Sequence, residues 1–206
     1  MEIHPNTITM KKSIIHNSIF IILFLFAFLE RTVFDLGPNY ELLTSAIVLS
    51  SLFLNPKSSF FLAFLTIAFS DRLIGNSRIF LFTWSGFLIP AIIVSPILKK
   101  LITDRKSSII NLLKISVSGL MINVFFFIWT NFGVWMLDSW GMYSKDVSGL
   151  ITCYINALPF LKNQVVSSLI FIPTGFILIN VTFVVYKKLF LEKKYCPDSY
   201  NHLHHI

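Results

Sequence analysis

The sequence predicts an all-α integral membrane protein, a bundle of about six transmembrane helices, and three observations predict it. Hydrophobic residues make up 55% of the 206 and charged residues 13%, against about 25% charge in an ordinary soluble domain. The mean hydropathy is +0.74. The apolar residues gather into six stretches, 13–29, 41–54, 59–70, 79–98, 109–130 and 164–186. A net charge of +7 would suit nucleic acid, but the basic residues sit in short clusters between apolar runs. That placement orients membrane helices and argues against nucleic-acid binding.

The first stretch follows Met10-Lys11-Lys12 and ends at Glu30-Arg31 without a small-x-small cleavage site, so a retained signal-anchor helix is expected. The second and third are short for a span of about 20 residues, and Asn55-Pro56-Lys57-Ser58-Ser59 separates them as a turn. Two tilted spans extended by flanking residues are expected, with a partly crossing helical hairpin as the alternative. The fourth meets the required length. The fifth continues from Ile109 to Leu137, about 43 Å if helical throughout. That exceeds the hydrocarbon core, so a helix break is expected at Thr130-Asn131-Phe132-Gly133. Residues 149–163 are too short and polar for a span and read as an external amphipathic or re-entrant helix ending at Pro159. A sixth span then covers 164–186. Residues 1–190 form a single transmembrane domain, and 191–206 a short polar cytoplasmic tail.

With six spans and the amino terminus in the cytoplasm, twelve of the seventeen basic residues fall inside. The five left outside are Arg31, Arg72, Arg78, Lys145 and Lys162. Under the positive-inside rule both termini are therefore expected to be cytoplasmic. Cys153 and Cys196 then lie on opposite sides and are expected to stay unpaired.

This topology collects the polar and aromatic segments at the external side. Asn39 precedes the second stretch and Glu41 opens it, where they either cap a helix or contact a ligand. Asp71 ends the third, where an acidic residue at membrane depth is functional or bridged; Arg72 or Arg78 offers a partner. Ser116, Gly119, Asn123 and Thr130 share one helical face, the kind of stripe that packs on neighbouring helices. Trp129, Asn131 and Trp135 surround the expected break, and non-helical backbone at that depth must be buried or line a cavity. Trp140 suits the interfacial belt, while Trp129 and Trp135 suit flat walls for a ring-shaped ligand. No GxSxG, HExxH, P-loop or GxGxxG motif is present, so no enzyme activity, cofactor or metal is expected. His202, His204 and His205 belong to the polar tail.

Pro38-Asn39-Tyr40-Glu41-Leu42-Leu43-Thr44-Ser45-Ala46, Ser70-Asp71-Arg72-Leu73-Ile74-Gly75 and Thr130-Asn131-Phe132-Gly133-Val134-Trp135 resemble an uncharacterised bacterial family. Tyr143 and the run from Gly149-Leu150 through Cys153-Tyr154 to Pro159-Phe160 resemble it too. Its members are described as transport proteins similar to the substrate-binding (S) components of energy-coupling-factor (ECF) vitamin transporters. The resemblance covers about residues 31–180. It implies six helices, both termini inside the bacterial cytoplasmic (inner) membrane, and a substrate pocket toward the external face. The partners it implies are a small vitamin-like molecule, the lipid bilayer, and an ECF transmembrane coupling subunit with its ATPases. Such components dock through an Ala-x-x-x-Ala-like pair on the first helix, and residues 18–29 hold none. Weak or absent association with a generic energising module is expected. The substrate-binding residues expected are Asn39, Glu41, Asp71, Trp129, Asn131 and Trp135. The alternative is a non-transporting membrane assembly or scaffold protein that uses the same polar stripe for helix contacts.

Overall fold

The computed structural model describes residues 5–34, 36–75, 78–102, 108–138 and 141–190. These form six α-helices: α1 (Pro5–Leu29), α2 (Leu43–Phe53), α3 (Pro56–Ile74), α4 (Phe80–Leu101), α5 (Ile109–Leu137) and α6 (Val147–Phe190). Glu30–Phe34 continues α1 as one π-helical turn. The stretches Ser13–Phe34, Phe80–Leu101, Ile109–Leu137 and Val147–Lys188 are long and apolar enough to cross a membrane. Trp140, Cys196, the three tail histidines and residues 191–206 lie outside the described residues.

The expectation of two full spans over 41–54 and 59–70 fails for the first. Helix α2 has 11 residues, about 16 Å, against a hydrocarbon core of about 30 Å. Every one of its residues is buried. A helix apolar all round belongs at a centre rather than at a surface, and α1, α3, α4, α5 and α6 all pack on α2. Of its buried hydroxyls Ser45 Oγ is without a partner among the described residues, while the others are satisfied at close range. Ser50 donates to Ile47 O at 3.1 Å, Ser51 and Ser59 share a bond of 2.9 Å, and Ser95 of α4 donates to Ser51 O at 3.0 Å. Small residues let three backbones approach each other here, as in membrane helix packing generally. Asn55 ends the α2–α3 turn as the cap of α3, accepting from Ser58 N at 2.8 Å with Pro56 at the first helical position.

The expected break at Thr130–Gly133 is absent: α5 is one helix of 29 residues. Gly133 serves packing instead, because a side chain there would overlap the Phe82 ring of α4. The expected separate helix ending at Pro159 is absent as well. Helix α6 runs unbroken for 44 residues, through Pro159 and Pro173, about 66 Å. It lies antiparallel to α5, with Tyr154 OH on Ile128 O and Asn123 Nδ2 on Gln164 O. The partner helix α5 packs alongside near both prolines, at Tyr154 and at Ile172. Of the small and polar stripe on α5, Gly119, Asn123 and Thr130 are buried and Ser116 is half-buried.

Candidate functional site

The turn Gly37–Tyr40 brings the chain from the end of α1 into the bundle. Tyr40 N donates to Gly37 O at 3.0 Å, Pro38 occupies the second position, and Asn39 takes φ +58° at the third. Pro followed by a residue of positive φ is the pattern of a type II turn, and Asn tolerates that region better than most residues. Asn39 therefore shapes the turn and does not cap a helix; the residue before α2 is Leu42, without a side-chain cap. Asn163 of α6 donates to Pro38 O at 2.9 Å and holds the turn down. Glu41, 7% exposed, follows it. Ser167 of α6 clasps its backbone on both sides, accepting from Glu41 N at 3.2 Å and donating to Glu41 O. The Glu41 carboxylate accepts from Thr44 at 2.6 Å.

Asp71 finds its partner on neither Arg72 nor Arg78, both exposed. Arg31, on the π-helical turn, pairs with it at 3.1 Å and also donates to Ser70 Oγ at 2.9 Å. Trp84 Nε1 of α4 donates to the other Asp71 oxygen at 2.7 Å. A π-helical turn rotates the residues beyond it relative to an ordinary helix, and this one delivers Arg31 to α3. The pair is largely buried, which suits charges held near membrane depth.

Between these elements lies a cavity of about 390 Å³, lined by Arg31, Asn39, Glu41, Ile79, Thr83, Phe87, Phe126, Phe127, Thr130, Asn131, Val134, Phe160, Leu161 and Gln164. Of the six residues expected to bind substrate, Asn39, Glu41 and Asn131 meet at this one cavity. Asp71 stands behind its wall, in contact with Arg31. Trp129 and Trp135 do not border it. Trp129 Nε1 donates to Ser85 Oγ at 2.7 Å, tying α5 to α4, and its ring lies against Phe82 and Phe125. Trp135 Nε1 donates to Ser144 O at 2.9 Å, and Lys145 sits over its ring at 5.8 Å. Both indoles hold α5 in place, and phenylalanines supply the aromatic wall.

Sequence reasoning missed Arg31 and Gln164. Arg31 counted only as an external charge. Gln164 opened an expected new span, yet Gln164, Ser167 and Ser168 recur at the spacing of one helical face, and all three are buried. Asn123 reaches the same face, donating to Gln164 O at 3.0 Å and Ser168 Oγ at 2.9 Å.

Above the cavity, Asp146 starts α6. The Gly149 amide and the Ser144 hydroxyl, each at 2.7 Å, hold its carboxyl below the usual range. Cys153 is a free, buried thiol beside Asn131 O. Among the described residues no group of three or more metal-ligating side chains occurs. A second recess, apolar and also about 390 Å³, lies between α1 and α6 with Ala46 and Leu49 of α2 among its lining residues.

No curated protein and no solved structure matches the chain. A family model does, over residues 11–189, nearly the whole described bundle. The chain belongs to that family, DUF6580, a family of unknown function.

Proposed function

We propose that this protein takes up a small, vitamin-like molecule across the cytoplasmic membrane, binding it in the cavity bordered by Arg31, Asn39, Glu41, Asn131 and Gln164. The observation that carries the reading is the make-up of that cavity: a few polar groups from distant parts of the chain converge within phenylalanine walls. Its volume of about 390 Å³ falls at the lower end of the 300–1,000 Å³ usual for small-molecule sites. Buried polar groups gathered without a packing need are costly, and a ligand gives them their partners. The charge bias in the sequence puts this end of the bundle outside, as uptake requires. The resemblance to ECF S components supports a six-helix bundle, in which α2 is too short to cross the hydrocarbon core by itself. On α1, bulky Ile21, Ile22, Leu25 and Phe26 are exposed, which favours operation without a shared energising module.

The test is the protein itself. Purified in mild detergent, washed and then denatured, it should release one small molecule in near-stoichiometric amount, identified by mass spectrometry. Asn131→Leu should lower that yield while the protein still inserts and folds. Undiminished ligand in Asn131→Leu would place the site elsewhere. The assembly-protein alternative rests on the apolar recess between α1 and α6, which has room for a partner's side chains. It predicts a co-purifying membrane protein and no small molecule.

A further inference from the structure

Taking the cavity as a ligand site, we infer that it selects a flat, donor-rich molecule, neutral or cationic, such as an aromatic ring bearing an amide, amidine or amine, and that Gln164 reads the donor edge. Gln164 is 3% exposed and borders the cavity. Its backbone oxygen serves Asn123, but its side-chain amide bonds to none of the described residues. A buried amide is almost always paired, so this one awaits a complementary group. Its complement presents a hydrogen-bond donor beside an acceptor in one plane.

Asn39 apart, whose side-chain amide both donates and accepts, the other polar lining groups are acceptors or already committed donors. Asn131 spends Nδ2 on Phe127 O at 2.8 Å, leaving Oδ1. Thr130 spends its hydroxyl proton on Phe126 O at 2.7 Å, and Thr83 spends its own on Ile79 O at 3.4 Å. Both hydroxyls keep lone pairs for the cavity. Glu41 adds a carboxylate. Arg31 is the one cation of the lining, and Asp71 and Ser70 already engage it. The lining thus holds no uncommitted positive charge to attract an anion, and it holds several acceptors to receive donors. A site built to hydrogen-bond a ligand rejects an analogue of the same shape that reverses the polarity, because buried groups are then left facing like groups. Phe126 and Phe127 supply flat apolar surface for the ring.

Benzamidine, benzamide and benzoate test this, since they share a ring and shape but run from donors alone, through one of each, to acceptors alone. Binding to the full-length protein in lipid nanodiscs would be followed by calorimetry at millimolar probe. The expected result is that benzamidine and benzamide bind at least about tenfold tighter than benzoate. Gln164→Leu should weaken benzamide by about tenfold. The isosteric Gln164→Glu, which keeps the side-chain volume, should shift preference further toward benzamidine. Benzoate binding as well as benzamide overturns the inference, and so does failure of all three probes to bind. The small molecule released from the purified protein reports on the uptake reading independently: a released carboxylate or phosphate would uphold a ligand site and refute the donor-rich class.

Discussion

Arg31 and Asp71 show how one side-chain pair fixes an end of the bundle. Their side chains are 16% and 8% exposed, so each charge depends on the other for most of its compensation. Removing one partner of such a pair typically costs about 3–5 kcal/mol, because the remaining charge stays buried alone. Asp71→Leu should lower thermal stability in detergent by that order. Arg31→Met combined with Asp71→Leu should lose less than Asp71→Leu alone, since an apolar pair leaves no orphan charge. A double variant as unstable as the sum of the singles would show that Ser70 and Trp84, rather than the ion pair, hold this corner. Asn123 works on a smaller scale. Interhelical hydrogen bonds in membrane proteins average about 0.6 kcal/mol, and Asn123 makes two while its Oδ1 stays unpartnered. Its replacement should be mild by comparison.

Among the elements, α4, α5 and α6 owe their closeness to glycines, and the glycines are not equivalent. A methyl group at Gly119 would meet the flexible end of Ile172, whereas one at Gly133 would meet the rigid ring of Phe82. Alanine in place of glycine favours a helix by about 1 kcal/mol, and overpacking costs about 1–3 kcal/mol. Gly119→Ala should therefore come out near neutral, while Gly133→Ala should destabilise and shift the fluorescence of neighbouring Trp129. Equal effects at the two positions would mean that Phe82 can move aside. This is why Thr130-Asn131-Phe132-Gly133 looks like a helix break in sequence: a glycine needed for close approach carries the same letter as a glycine needed for a turn. Helix α6 misleads in the opposite way. Its prolines and polar residues suggest two segments, but α5 runs beside it and supports one helix of 44 residues.

For the molecule as a whole, sidedness is the property most exposed to test. Seventeen basic residues divide twelve to five under the six-span topology. A cysteine placed at Ser144 should label from outside in intact cells, and a reporter fused after Ile206 should read as cytoplasmic. Labelling of the carboxyl terminus from outside would turn the cavity toward the cytoplasm and end the uptake reading. The whole bundle also explains the unusual burial of α2. Five helices surround it, so its ends must deliver their loops inside the bundle. Glu41 at one end is buried for that reason, and at the other Lys99 of α4 caps Leu54 O at 3.2 Å.

Composition and charge spacing were enough to determine a helical membrane protein and the placement of its long apolar segments. Span length is set by the thickness of the bilayer, and hydrophobicity reports it directly. Local composition was enough for the turn at Asn55-Pro56, and the charge-derived topology for collecting Asn39, Glu41 and Asn131 at one end. Three things depended on the tertiary structure: the pairing of Arg31 with Asp71, the continuity of α5 and α6, and the place of Gln164 in the cavity wall. Each depends on which helix stands next to which. Arg31 and Asp71 are 40 residues apart in sequence, and Gln164 is 123 residues beyond Glu41. No local rule links residues so far apart; the packing around α2 brings them together.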